Sequence, residues 1–309
     1  MHDLHSTRIR VANAPCSWGV LEFGLGEGAS YRTVLQEIAS SGYEGTELGD
    51  WGFMPTEPSA LADALGAHHL ALVGAFVPAA LWRRDTHDDA RRSALRVAHL
   101  MAGAAGGASS PPPCVVLSDD NGTVPARAGR AGRIGPDDGL APEAWDAFAE
   151  GAAALATAVR DETGLRTVFH PHCGGFVEAP WELAALMDRT DAALLGLCLD
   201  TGHVTFGGGD PVQVAQAYAA RTWHLHLKDC DVTVAARSRD ESWDYLTAVR
   251  QGVFCELGQG QVDFAGVLAA LADARFEGWA VVEQDVLPGL GTPVDSARRN
   301  RAFLRGLGL

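Results

Sequence analysis

Residues 194–231 read LLGLCLDTGHVTFGGGDPVQVAQAYAARTWHLHLKDCD. An apolar run, LLGLCL, stops abruptly at Asp200-Thr201-Gly202-His203. A second run ends in His224-Leu225-His226-Leu227-Lys228-Asp229. A Gly-rich turn and a short helical pattern opening at Asp210-Pro211 lie between them. Two buried strands joined by a helix therefore each release polar residues at the carboxyl end, where parallel α/β folds place their ligands. Residues i and i+2 of a strand share a face, so His224, His226 and Lys228 point the same way. Three basic side chains on one face of an apolar strand are costly unless a site uses them. His224 stands two positions short of the strand exit and reads as a deeper interior residue.

The same rhythm extends in both directions. Towards the N-terminus the pattern predicts strands at Arg8–Ala14, Tyr43–Leu48, Leu70–Phe76, Cys114–Asp119 and Arg166–His172. Helices are predicted from Ser30, from Pro58, from Thr86 or Asp88, from Pro142 and from Pro180, each opened by a capping residue or a proline and most closed by glycine. Towards the C-terminus a helix over DFAGVLAALADARF, a strand Gly278–Glu283 and a last helix from Asp295 follow. Eight strand–helix units predict an α/β chain folded as a single (β/α)8 TIM barrel over residues 1–309. A doubly wound sheet is disfavoured because no GxGxxG follows the first strand and polar residues follow many strands, not one switch point. Two stretches break the rhythm. Residues 119–141 are rich in Gly, Arg and Pro without apolar periodicity and read as a long surface loop. Residues 232–256 read as an insertion holding Trp243 and Tyr245.

Composition narrows the function class. A net charge of −15 argues against nucleic acid as a partner, since phosphate affinity needs clustered Lys and Arg. Hydrophobic content of 47% and a mean hydropathy of +0.01 support a large core, yet no run nears the roughly 20 apolar residues of a membrane helix. The first residues, MHDLHSTRIRVANAP, lack the pattern of a secretion signal, so a soluble cytoplasmic protein is the expectation. The six cysteines form no CxxC pair, which argues against a thiolate zinc site or a disulfide framework. Lys228 is the one lysine of the chain.

The strand exits carry Asn13, Glu47, His170, His172, Asp200, His203, His226, Lys228, Glu283 and Asp285, with Glu178 in the loop after the fifth strand. A barrel brings such exits to one mouth. Each residue alone has an ordinary explanation: a terminal Asp caps a helix, a His packs in a core, a Glu faces solvent. Asp200, His226 and Glu283 at equivalent ends of three successive strands are better explained by one site. Carboxylates and imidazoles without a thiolate suit an octahedral divalent ion.

The segments HPHCGGFVEAPWEL, LCLDTGHVTFGGGDP, HLHLKD, LGQGQVDF and GWAVVEQD resemble the xylose isomerase-like barrel superfamily of sugar isomerases, epimerases and dehydratases. Together with NAPCSWG and SSGYEGTELGDWG they look most like its inosose dehydratase branch. The resemblance implies one divalent metal, with Mn²⁺ or Co²⁺ ahead of Mg²⁺, Fe²⁺ or Zn²⁺. It implies Asp200, His226 and Glu283 as ligands and a fourth from the fifth strand. Relatives have Glu-Asn-His there, whereas this chain has His170-Pro171-His172. Glu178 is the expected fourth ligand, with His170 as the substitute. Epimerases of the superfamily exchange a proton between two carboxylates, and a His in one of those places favours one-directional acid or base work by His172 or His170, hence β-elimination. Lys228 or His203 would stabilise charge on an enediolate oxygen, and Glu283 would take part in proton transfer. Asn13, Trp18, Glu47, His203 and Lys228 are the expected substrate contacts. Trp18, Trp51 and Phe76 read equally as ring walls or barrel packing. The implied substrate is a small sugar or cyclitol ketone, acted on by a dehydratase. A keto-sugar isomerase or epimerase, a 3-keto-glycoside eliminase and a non-catalytic sugar-binding barrel are the alternatives. A homo-oligomer, dimer or tetramer, is expected.

Overall fold

The computed structural model describes residues 9–19, 29–105, 111–284 and 291–309. Arg8, expected to open the first strand, and Asp285, expected at the last exit, lie outside those residues. Eight parallel strands close into a barrel: β1 (Ile9–Asn13), β2 (Gly45–Glu47), β3 (Ala71–Pro78), β4 (Cys114–Ser118), β5 (Arg166–Phe169), β6 (Leu195–Asp200), β7 (Thr222–Leu227) and β10 (Gly278–Val282), the last pairing with β1. Closure excludes the doubly wound sheet. Between them run α1 (Tyr31–Ser40), α2 (Pro58–Gly66), α3 (His87–Ala105), α4 (Pro125–Ala128), α5 (Pro142–Thr163), α6 (Pro180–Arg189), α7 (Thr201–Phe206) and α8 (Pro211–Tyr218). The insertion after β7 holds α9 (Val232–Asp240) and α10 (Tyr245–Arg250), framed by the antiparallel pair β8 (Asp229–Cys230) and β9 (Phe254–Cys255). The chain then forms α11 (Phe264–Asp273) and, after β10, α12 (Pro293–Gly306).

Strand alternation sorts side chains into two environments. Val11, Leu72, Val115, Leu117, Leu197, Leu199, Leu225 and Leu227 face outward and join the helix faces of Leu35, Leu61, Met101, Phe148 and Leu268 in one apolar layer. Phe148 meets Phe169 edge-on at 5.7 Å, and burying one such ring contributes about 1.5–3 kcal/mol. Ala12, Val73, Trp279 and Val281, and separately Cys114, Val116, Val168 and Cys198, form two small clusters on the opposite strand faces, inside the barrel. That inner face is the one that continues upward into Glu47, His170, Asp200, His226 and Glu283.

One segment differs from expectation. Residues 119–141 are not a plain surface loop. Arg127 is buried, and its guanidinium donates to Gly175 O (2.8 Å), Asp138 O (3.1 Å) and Glu182 Oε2 (2.7 Å). The segment is anchored by a buried charge pair, which leaves no apolar periodicity to read. The insertion, in turn, is tied down by Asp229. Its buried carboxylate accepts from the backbone N–H groups of Cys230, Gly258, Gly260 and Val262 at 2.8–3.1 Å.

Candidate active site

Strand β6 runs directly into α7, and Asp200 belongs to both. Its Oδ1 accepts from His203 N at 2.7 Å, capping the helix, while Oδ2 faces the barrel mouth. There Oδ2 lies 3.4 Å from His170 Nε2 and 3.8 Å from His226 Nδ1, and His226 Nδ1 is 3.2 Å from Glu283 Oε1. One ligand atom from each of His170, Asp200, His226 and Glu283 falls within 4.8 Å of all the others. Both ring nitrogens of His170, Asp200 Oδ2 and His226 Nδ1 are buried without a hydrogen-bond partner. Buried polar atoms are normally satisfied, so several orphans converging on one point mark a place that a cation would fit. Burial works against the charge on Asp200, but the His170 imidazole and the Lys228 ammonium outweigh it and bring its pKa down to about 2. The carboxylate is thus ready as a ligand.

Two neighbouring groupings fit less well. Cys198 lies beside His170 and His226, but burial pushes its thiol up to about 12, so it stays protonated. Glu47, His224 and His226 form the other group, and its atoms already satisfy one another. His224 Nε2 and His226 Nε2 lie 2.8 and 3.0 Å from Glu47 Oε1. Burial would raise the Glu47 carboxyl, yet the imidazoles of His226 and His224 overcome this and hold it well below the ordinary range. Glu47, expected to contact substrate, instead fixes the His226 ring so that Nδ1 faces the cluster.

A second wall stands beside the cluster. β5 ends at Phe169, so His170 and His172 lie just past it. The His172 and His203 rings sit 3.9 Å apart, centroid to centroid. His172 Nδ1 is 2.7 Å from Cys173 O, and His203 Nδ1 accepts from Cys173 N at 3.2 Å. Burial, with help from neighbouring histidines and Lys228, pushes both imidazoles well below their usual pKa, so they are neutral bases at neutral pH. Lys228 Nζ is 3.1 Å from Glu283 Oε2 and 3.4 Å from His203 Nε2. Gly202 makes room for it: a Cβ there would come within 2.6 Å of the lysine stem. Phe76 places its edge on His170 at 6.0 Å.

Other expected site residues go elsewhere. Glu178 is not in the cluster; its two oxygens accept from Gly132 N (2.6 Å) and Gly174 N (2.8 Å), and burial pushes its pKa up to about 7. His170 occupies the corner for which Glu178 was expected. Asn13 shares the outward strand face with Val11, and its Oδ1 accepts from Ala14 N at 2.9 Å. Trp18 is buried against the helix layer, its indole N–H donating to Glu37 Oε2 at 2.6 Å. Trp51 is exposed, with Arg96 over its ring. Sequence reasoning names Tyr245 in the insertion without giving it a role and does not single out Phe254 as part of the wall. Tyr245 with Ala248 and Val249 has helical spacing, and that apolar stripe was the available signal.

A closed parallel barrel with acids and imidazoles gathered at the carboxyl ends of its strands is the architecture of a barrel enzyme. A family model described as xylose isomerase-like TIM barrel matches residues 35–307, and the chain belongs to that family. The inosose dehydratase of Geobacillus kaustophilus (strain HTA426) is 28% identical over 296 residues, covering 96% of this chain and 93% of the relative. That of Bacillus thuringiensis (strain Al Hakam) is 37% identical over 163 residues, 53% of this chain and 54% of the relative. Among solved structures, a D-allulose 3-epimerase from Methylomonas sp. aligns with a TM-score of 0.67 at 16% identity, covering 97% of this chain and 98% of that one. The probable 3-DHS dehydratase of Bacillus anthracis aligns with a TM-score of 0.66 at 14% identity, covering 96% and 99%. The protein is an enzyme of dehydratase or isomerase type, and the non-catalytic alternative falls away. Among the described residues, no helix is long and apolar enough to cross a membrane.

Proposed function

We propose that the protein is a divalent-cation-dependent lyase that removes water from a cyclic keto-polyol, as an inosose dehydratase does. The observation that carries this reading is the asymmetry of the site. Beside the four-residue cluster stands a wall of bases and not a second pair of carboxylates: Lys228 Nζ lies 3.4 Å from His203 Nε2, and the His203 and His172 rings are 3.9 Å apart. His170, Asp200, His226 and Glu283 would hold the cation, with Mn²⁺ or Co²⁺ the first choices for this donor set. When bound, it would act as a Lewis acid that polarises the substrate ketone and acidifies the neighbouring C–H bond.

The chain's own residues supply the proton chemistry. His172 gives its Nδ1–H to Cys173 O, which leaves the Nε2 lone pair for the proton α to the ketone. Lys228 offers an ammonium to the oxygen on which negative charge builds. The C–O bond at the β carbon then breaks. The His172 imidazolium returns its proton to the departing hydroxyl, water leaves, and the imidazole is neutral again. The near-full-length likeness to inosose dehydratases supports the same reaction class. Incubation of the Mn²⁺- or Co²⁺-loaded protein with 2-keto-myo-inositol is expected to generate an ultraviolet-absorbing diketone. No such product would remove the dehydratase reading.

Two kinds of acid–base group at the mouth, the Glu283 carboxylate and the His172–His203 imidazoles, also suit a keto-sugar epimerase or isomerase, in which the proton returns to carbon. Solvent deuterium in recovered ketone without loss of water would select that reaction. The orienting role of Glu47 has its own consequence. Glu47→Gln removes the charged acceptor behind His226 and is expected to weaken Mn²⁺ binding roughly 10–100-fold, read by calorimetric titration. Unchanged affinity would mean that Glu47 does not tune the ligand.

A further inference from the structure

The inserted unit between β7 and α11 brings aromatic rings into the site wall. Tyr245 opens α10 and is buried, with 5% of its surface exposed. Its hydroxyl lies 3.4 Å from His172 Nε2, and its ring is 5.3 Å from the His172 ring. It also runs nearly parallel to His203, at 24° and 6.2 Å between centroids. On the adjoining ribbon, Phe254 sits 4.8 Å from Lys228 Nζ and places its edge on His203 at 4.9 Å. The backbone beside His172 is shaped to admit the tyrosine. Gly174 has φ +89°, a conformation that glycine adopts readily, and a Cβ there would stand 3.3 Å from the Tyr245 ring.

We infer that Tyr245 is a positioning residue for His172. The phenol O–H donates to Nε2, and the Cys173 carbonyl accepts from Nδ1–H at the other end of the ring. Held at both nitrogens, the imidazole keeps a single tautomer and a single tilt towards the ligand cluster. The contact at 3.4 Å is loose enough for a substrate to take the phenol's place. The insertion is thereby part of the catalytic wall and not a peripheral decoration. This inference rests on the reading of His172 as the proton-transfer group.

The test is Tyr245→Phe, alone and combined with His172→Gln, in Mn²⁺-loaded protein assayed with 2-keto-myo-inositol. Tyr245→Phe is expected to lower kcat roughly 10–100-fold while KM stays within about twofold and the Mn²⁺ content by elemental analysis is unchanged. The double variant is expected to be no slower than His172→Gln alone, because Tyr245 acts through that ring. Multiplying effects would overturn the inference. A second readout needs no turnover: imidazole ¹⁵N spectra of the cation-free protein. They should show one His172 tautomer in the parent and a mixture in Tyr245→Phe. Identical spectra would also overturn it. A parent that turns over no ketone, with spectra that change as expected, would sink the dehydratase reading and leave the Tyr245 assignment standing.

Discussion

A His226→Ala protein is expected to lose its divalent cation and its turnover while keeping the barrel. His226 is the residue through which the rest of the cluster is connected. Its Nδ1 faces both Asp200 Oδ2 and Glu283 Oε1, and its Nε2 is fixed by Glu47. Alanine removes one ligand and also the orienting link to β2. Cation affinity should fall by roughly a hundredfold or more, and turnover by roughly a thousandfold, since both Lewis-acid activation and ligand geometry are lost. The barrel should still form, since Glu47 keeps its pair with His224 at 2.8 Å. Elemental analysis after dialysis, with circular dichroism as the fold control, reads the result. The companion variant is Glu178→Gln. Its carboxylate is engaged with Gly132 and Gly174, so it should keep the cation. Full occupancy in His226→Ala, or loss of the cation in Glu178→Gln, would mean that the ligand set drawn from His170, Asp200, His226 and Glu283 is wrong.

The largest loss of stability is expected from Arg127→Ala. Arg127 and Glu182 are both buried, at 2% and 0% side-chain exposure, and they are paired at 2.7 Å. Glu182 also accepts from Glu178 N and Ala179 N, so it holds the turn that leads into α6. Removing the guanidinium strands a buried carboxylate and frees two backbone carbonyls, those of Gly175 and Asp138. Breaking one side of such a pair costs about 3–5 kcal/mol. Urea unfolding should show this as a lower midpoint. A cost below about 1 kcal/mol would mean that water reaches Glu182 in the variant and that residues 119–141 are looser than their contacts imply. Activity should fall further than stability alone explains, because the same residues set the loop from Cys173 to Glu178 that begins beside His172.

The legible parts of this chain were those governed by periodicity. Apolar strand runs with polar exits fixed the barrel, and the joint appearance of Asp200, His226 and Glu283 fixed three corners of the cluster. What alternation alone could not decide was which face a terminal residue takes. Asn13 ends β1 and so reads as a mouth residue, but it shares a face with Val11, and Ala12 and Ala14 occupy the inner face. His170 is hard to place from sequence for a related reason. The fifth strand was expected to reach His172, yet it stops at Phe169, which makes His170 the first residue past the strand. Glu178 looked like a ligand because nothing in the sequence reveals that the N–H groups of Gly132 and Gly174 claim its oxygens. Residues 119–141 hid their anchoring because polar burial has no period. Glu47 and His224 were seen as separate residues, and only the closed barrel makes them partners across 177 positions of sequence.

The solitary lysine, finally, is buried, so the surface carries no lysine amine. With no other lysine in the chain, amine-directed reagents meet only the chain's α-amino group and a buried ammonium beside Glu283. A ¹³C-methyl label carried by that amine would report from the site without crowding the spectrum. The dimethylated amine keeps its charge, and its resonance should move as Mn²⁺ analogues or ketone ligands enter the mouth.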